Sequence, residues 1–297
     1  MKLHEPLGPQ QAPPEHAIPL TGLPTDAMFE KVQYVAGEYP GSKTLLEFSQ
    51  PRPCRAILTK GLGDNVPSSS ASETYQELDL LLVPSSDHEA PDLLASVWNW
   101  VEPGVPMDRR QGHLITLQGA RVLWSPGRAA IIAPADRLST LRLAIVEFVH
   151  YEGELRHLEL ALTRDWPHLE ADTPLAFHFD DQAAQRSEQL GERFRSVVGI
   201  RSRLERMTPS VHRPPMHPPT LAGQLGERLK ERTRLVERME FLSDQLEVFE
   251  NVYEMCAERS SQYMLSRKST TLEWVIIVIL AVECILLLVD IMSRQAS

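Results

Sequence analysis

One uninterrupted apolar segment near the C-terminus constrains this chain more than any other feature of its sequence. Residues 272–292 read LEWVIIVILAVECILLLVDIM, and fourteen of them are Leu, Ile or Val. At about 1.5 Å per residue this stretch makes roughly 30 Å of helix, which matches the hydrocarbon core of a bilayer. The sequence therefore predicts one transmembrane helix over residues 272–292, with a short tail over residues 293–297.

Acidic residues in this segment oppose its insertion into a membrane. The fourteen branched aliphatic residues contribute roughly −4 to −8 kcal/mol, whereas an acid at the centre costs about 2.5 to 3.5 kcal/mol and acids near the ends cost less. Insertion remains favourable in this balance. The residues that mark the membrane segment are Leu272, Glu273, Trp274, Glu283 and Asp290. Glu283 lies near the middle, where it is expected either to hydrogen-bond a neighbouring helix or to serve proton or ion movement.

The residues that flank the segment predict its orientation. Arg259, Arg267 and Lys268 precede the apolar run, and only Arg294 follows it. Because positive residues stay on the inner side of a membrane, we expect the long N-terminal part to face the cytoplasm. The lipid bilayer is therefore the first expected partner of this chain.

The N-terminal residues 1–27 are predicted to form a disordered, proline-rich tail. Six prolines lie between Pro6 and Pro24, and the stretch has neither an arginine nor an apolar core of the kind found in signal peptides. Mitochondrial leader sequences are rich in arginine, so this composition favours a bacterial inner membrane over the mitochondrial inner membrane.

A heptad pattern precedes the membrane segment. Apolar or small residues recur at alternating steps of four and three, which predicts a narrow seam along one long helix that runs from Glu227 to the membrane. The seam consists of Leu235, Met239, Leu242, Leu246, Phe249, Tyr253, Cys256, Ser260 and Tyr263. We expect a helix over residues 182–207 to be its partner, with a proline-rich loop over residues 208–220 ending that helix. A hairpin within one chain and a bundle between chains would both bury the seam, so self-association through the helices is also expected.

Residues 28–181 have the pattern of a mixed α/β domain. Short apolar runs predict strands, and helical spacing predicts helices over residues 92–101 and 136–151. The predicted strands cover residues 45–48, 56–58, 78–83, 113–117, 121–124 and 130–133. The expected fold class is therefore α+β: a mixed N-terminal domain, a helical hairpin or coiled-coil stalk over residues 182–271, and one transmembrane helix.

Three segments together resemble the Required for Meiotic Nuclear Division family, whose members are found in bacteria, fungi and mitochondria. They are GHLITLQGARVLW, PADRLSTLRLAIVEF and LEWVIIVILAVE, the last of which contains Leu272, Glu273, Trp274 and Glu283. The resemblance extends over residues 112–292. It implies a protein with one membrane span and no established catalytic residues, and a role in supporting translation at the membrane.

Neither the composition nor the motifs of the sequence indicate a catalytic function. The net charge of −10 argues against direct nucleic-acid binding, and three widely spaced cysteines argue against a disulfide scaffold or zinc ribbon. The chain has no nucleophile-elbow, phosphate-loop or zinc-protease motif, so we assign no catalytic residue, metal ligand or cofactor. A non-enzymatic, membrane-anchored scaffold or assembly factor is the expected function. The alternative is a membrane-tethered hydrolase or nuclease-like enzyme, whose pocket would join several of Asp64, Glu77, Asp79, His113 and Arg121.

Overall fold

The computed structural model of this protein describes six stretches of the chain. They are residues 23–37, 42–59, 74–85, 91–106, 109–213 and 220–295. Most of the predicted tail over residues 1–27 and residues 214–219 of the proline-rich loop lie outside them. Asp64 also lies outside the described residues.

The chain divides into two compact units. The sheet unit comprises Met1–Ser49, Pro53–His150 and Pro214–Arg234, and the helical unit comprises Gln50–Arg52, Tyr151–Arg213 and Leu235–Ser297. This division differs from the predicted ranges 28–181 and 182–271. The boundary falls at residue 150, inside a long helix, and residues 214–234 return to the sheet unit.

Seven strands form one sheet in the described part of the sheet unit. They are β1 (Met28–Val35), β2 (Lys43–Phe48), β3 (Cys54–Thr59), β4 (Thr74–Pro84), β5 (His113–Leu117), β6 (Ala120–Ser125) and β7 (Arg128–Ala133). Their order is β2-β3-β1-β4-β7-β6-β5. The β4 and β7 strands pair in parallel, with Leu80 opposite Ala129, and the other pairs are antiparallel.

Helices cover both faces of this sheet. The first helix, α1 (Pro91–Val101), buries Leu93 and Val97 in a cluster with side chains of β4, β6 and β7. On the other face lies the start of α2 (Ala135–Phe177), where the hydroxyl of Tyr34 donates to the Val146 carbonyl at 2.7 Å. Burial on both faces explains why the central strands are apolar on both sides rather than alternating with polar residues.

Each of the six predicted strand segments lies within an observed strand, and the helix over residues 92–101 lies within α1. The sequence analysis does not predict the strand β1, which lies inside the sheet between β3 and β4. Its sequence contains Glu30, Lys31 and Gln33, which interrupt the apolar run. Two of these polar side chains contact Glu77 of the adjacent strand, Lys31 through its Nζ at 2.7 Å and Gln33 through its Nε2 at 2.8 Å.

The helix predicted over residues 136–151 is much longer than expected. It continues as α2 to Phe177, through Gly153, Pro167 and Pro174. Glycine and proline disfavour helix interiors, but packing against other helices can exceed their intrinsic cost. Here the extension of α2 buries a row of leucines at helical spacing, Leu155, Leu158, Leu162 and Leu169.

The helix predicted over residues 182–207 is divided in two and ends later than expected. It forms α3 (Asp181–Gln185) and α4 (Ser187–Val211), separated at Arg186. The prediction that prolines end this helix before Pro209 is wrong, because α4 includes Pro209. A proline in the last turn removes only one helical hydrogen bond, while Val211 beyond it remains buried.

A left-handed residue divides the helix that was predicted to run unbroken from Glu227. Arg234, with φ of 51°, separates α5 (Leu221–Thr233) from α6 (Leu235–Gln295). From that point α6 continues for 61 residues. The mixed α+β class is confirmed: an N-terminal seven-stranded sheet is followed by long helices, and the last helix carries the apolar segment.

Candidate membrane-anchoring helix

The first part of α6 is held in the helical unit by its heptad seam. Seven seam residues, from Leu235 to Cys256, are 3% exposed or less, and Tyr263 is partly exposed. The seven buried residues belong to one apolar cluster with side chains of α2 and α4. The aromatic ring of Phe249, for example, packs edge-on against Trp166 of α2 at a centroid distance of 4.9 Å. The seam is therefore buried within the chain itself.

A buried carboxylate lies beside this seam. Asp172 of α2 is 0% exposed, and its Oδ1 accepts a hydrogen bond from Arg186 at 2.7 Å. Its Oδ2 accepts from Arg193 of α4, and the Tyr253 hydroxyl of α6 lies 3.5 Å away. The guanidinium groups compensate the cost of burying the charge, because each supplies a charge-assisted hydrogen bond. Through Asp172, Arg193 and Tyr253, these contacts link α2, α4 and α6 to one another.

Burial beside Asp172 changes the ionisation of two neighbouring side chains on α6. Loss of solvation, reinforced by the negative charge of Asp172, raises the pKa of Tyr253 to about 12. The same two causes raise the pKa of Cys256 to about 11. Both groups are therefore neutral at physiological pH, and Cys256 is a packing residue rather than a reactive thiol.

A second polar contact joins α6 to α2. The guanidinium of Arg238 binds both carboxylate oxygens of Glu159, with its Nε at 2.8 Å and its Nη2 at 2.6 Å. Its Nη1 lies 3.4 Å from Glu152, which is 3% exposed in its side chain. Hydrogen bonding to Glu159 is the main cause that raises the pKa of Arg238. A bidentate ion pair of this kind fixes the register between two helices.

In the C-terminal part of α6 the apolar side chains are exposed rather than buried. Every described residue from 272 to 286 is exposed, including Leu272 and Trp274 at 64% each. Of the described helices, α6 is the one long and apolar enough to cross a membrane, and none of its apolar window is buried. Large apolar surfaces of this extent are unusual on water-exposed protein and mark contact with lipid or protein.

The acidic residues of the segment are placed as follows. Glu273 and Glu283 lie on the exposed surface of α6, whereas the side chain of Asp290 is outside the described residues. Neither described acid makes an ion pair with another described residue. The assignment of Glu283 to a contact between helices or to proton movement stays a prediction.

The described residues of the enzymatic alternative, Glu77, Asp79, His113 and Arg121, lie on three different strands. Glu77 and Asp79 lie on β4, where Glu77 binds Lys31 at 2.7 Å and Asp79 lies 3.8 Å from Arg128. His113 is on β5, three strand positions away, and stacks on Trp124. Hydrogen bonding to Lys31 lowers the pKa of Glu77, as expected for a carboxylate held in an ion pair. Each of these three contacts joins side chains of neighbouring strands of the sheet.

Two further properties of the described residues bear on chemistry. In the stretches that the structure describes, no group of three or more His, Cys, Asp or Glu side chains is placed to hold a metal ion. Cys54 Sγ lies 3.6 Å from His150 Nδ1, but both residues are buried, at 5% and 2% exposure, and the imidazole stacks on Phe48. A pair enclosed in this way has no access for a substrate.

Sequence reasoning identified the seam but missed the buried carboxylate and its arginines. A signal for Asp172 was present, because it follows Leu169 by three residues and precedes Ala176 by four on the buried face of α2. An acid in such a row predicts a basic partner on a facing helix.

Comparison with known proteins adds no further assignment: no protein-family model matches the chain, and no curated protein matches it.

Proposed function

We propose that this protein is a membrane-anchored, non-enzymatic scaffold or assembly factor of the Required for Meiotic Nuclear Division family. In this proposal residues 272–292 of α6 cross the bilayer once, and the long N-terminal part faces the cytoplasm at a bacterial inner membrane. The protein would act by holding the sheet unit and the helical unit at the membrane surface, in support of translation or of membrane organisation.

The observation that supports this proposal is that the exposure of apolar side chains changes along the single helix α6. The seam side chains of α6 are buried in a protein core from Leu235 to Cys256, whereas every side chain from residue 272 to residue 286 is exposed, and all of these except Glu273 and Glu283 are apolar. An α-helix makes its backbone hydrogen bonds internally, as a segment in lipid must. A predominantly apolar surface is the second requirement, and this part of α6 meets both. The core part thus supplies a rigid attachment for the apolar part.

The four enzymatic candidates that the structure describes, Glu77, Asp79, His113 and Arg121, lie on three different strands of the sheet, which favours the scaffold over the hydrolase alternative. Self-association through the helices remains a separate prediction, because the seam already has partners within the chain. A second copy would have to use surfaces of the helical unit other than the seam.

Membrane fractionation tests the anchor. We expect the full-length chain to stay in the membrane pellet after carbonate extraction, because a spanning helix is not released by high pH. A variant that ends at Arg267 retains the whole seam and should move to the soluble fraction. A non-ionic detergent should release the full-length chain from the pellet if the chain is inserted in the membrane. An aggregated chain would stay in the pellet.

Recovery of the full-length chain in the soluble fraction would remove the anchor and with it the scaffold proposal. A truncated variant that still resists carbonate would place the membrane contact elsewhere in the chain.

A further inference from the structure

The free edge of the sheet borders a cavity. Among the strands that the structure describes, β5 is the last in the sheet and pairs with β6 on one side. The helix α5 contacts β5, and Gln224 hydrogen-bonds Gln118 just beyond the strand at 2.9 Å. The cavity has a volume of about 300 Å³ and is lined by Leu114, Ile115, Thr116, Leu117, Arg228 and Arg232.

The lining shows that this cavity runs along the edge of the sheet. Side chains of successive strand residues point to opposite faces, yet four consecutive residues, 114 to 117, all line it. Only a space beside the strand can contact both sets. An edge strand also presents outward peptide groups that hydrogen-bond to whatever lies beside it. The wall formed by β5 is therefore both apolar and able to form hydrogen bonds.

Two arginines of α5 form the opposite wall. Arg228 and Arg232 are four residues apart, so they lie one turn apart on one side of the helix. Buried Leu225 and Leu229 anchor the same face of α5. Since those leucines are 0% exposed, they fix the part of the helix that carries both arginines.

The positive charge of this wall is poorly compensated. The guanidinium of Arg232 makes no hydrogen bond or ion pair with any residue that the structure describes. Arg228 contacts Glu231 at 2.9 Å, but the side chains are 62% and 65% exposed, and an exposed pair of this kind contributes little. Both guanidinium groups are therefore available to an anion. The hydroxyl of Thr116 provides a further polar group on the facing wall.

From this arrangement we infer that the cavity binds a small molecule bearing a phosphate or carboxylate group. Two guanidinium groups one helical turn apart bind an oxyanion through charge-assisted hydrogen bonds, and phosphate and carboxylate both fit their fork geometry. Leu114 and Leu117 then contact the apolar body of the ligand. The volume is at the lower end of the range for ligand pockets, which suits a compact metabolite. This site belongs to the sheet unit and does not depend on the membrane anchor.

Calorimetric titration of the full-length chain in non-ionic detergent at low ionic strength tests the inference. The probes are inorganic phosphate, glycerol 3-phosphate and succinate. We expect saturable binding of at least one probe and an affinity at least about tenfold lower for Arg228→Gln with Arg232→Gln, because charge-assisted hydrogen bonds are lost. Binding of the two phosphates alone assigns phosphate as the ligand group, and binding of succinate alone assigns carboxylate.

The matched control is Arg203→Gln with Arg206→Gln on α4, which removes the same charge outside the cavity. This variant should bind the probes as the unchanged chain does. Thermal unfolding of both variants verifies that they fold. The inference is overturned if no probe saturates, if the α5 variant binds as tightly as the unchanged chain, or if the α4 variant loses as much affinity.

Discussion

Replacing Leu242 and Leu246 together by Asp is expected to unfold the helical unit. Both side chains are 2% exposed or less within the cluster that joins α2, α4 and α6. Each substitution removes a buried leucine, which costs about 2 to 5 kcal/mol, and leaves a buried charge without a partner, which costs several kcal/mol more. The sum is comparable to the whole free energy of unfolding of a typical domain, about 5 to 15 kcal/mol.

Circular dichroism on variants that end at Arg267 measures this effect. The matched control is Phe241→Asp with Val248→Asp, which places the same charges on the same helix at positions that are 65% and 48% exposed. We expect the helical signal and its melting to change little in the control. Equal melting of the two double variants would show that the seam is not a packing surface.

Replacing both arginines around Asp172 is expected to give the second largest loss. In the variant Arg186→Gln with Arg193→Gln, the fully buried carboxylate of Asp172 keeps, of its partners among the described residues, the Tyr253 hydroxyl alone. Removing the partners of a buried charge costs about 3 to 5 kcal/mol. Urea unfolding followed by circular dichroism should show this decrease in the free energy of unfolding.

A third substitution separates the buried charge from simple loss of contacts. Adding Asp172→Asn to the double arginine variant removes the unpaired charge while keeping the shape of the side chain. We therefore expect the triple variant to be more stable than the double variant. A triple variant of equal or lower stability would mean that Asp172 is not charged in the folded chain, or that the arginines stabilise it through packing alone.

Much of the sheet unit could be predicted from local pattern. Apolar runs such as residues 78–83 and 130–133 are long enough to indicate strands without knowledge of their neighbours. The strand β1 could not be recognised in this way, because Lys31 and Gln33 are explained only by Glu77 on the strand beside it. The pairing partner, and not the local sequence, accounts for these polar residues.

In the helical unit, glycine and proline do not mark the ends of the helices. Gly153, Pro167 and Pro174 all lie inside α2, and Pro209 lies inside α4. Their local cost is exceeded by the leucine row that α2 buries, which is a tertiary effect. Conversely, α6 begins after Arg234, a residue with no local signal for a left-handed conformation. The seam positions were recognisable because a heptad repeats, whereas the partners of Asp172 required the fold.

Labelling of Cys284 tests most directly whether α6 crosses a membrane. Cys284 is exposed on α6, whereas Cys54 and Cys256 are buried. In intact, inverted inner-membrane vesicles, a membrane-impermeant maleimide should leave Cys284 unmodified, because lipid surrounds it, and should label it once the membrane is dissolved in dodecyl sulfate. Ser266→Cys, which lies on the same helix before the apolar segment, should be labelled in the intact vesicles. Ready labelling of Cys284 in intact vesicles would contradict the membrane span.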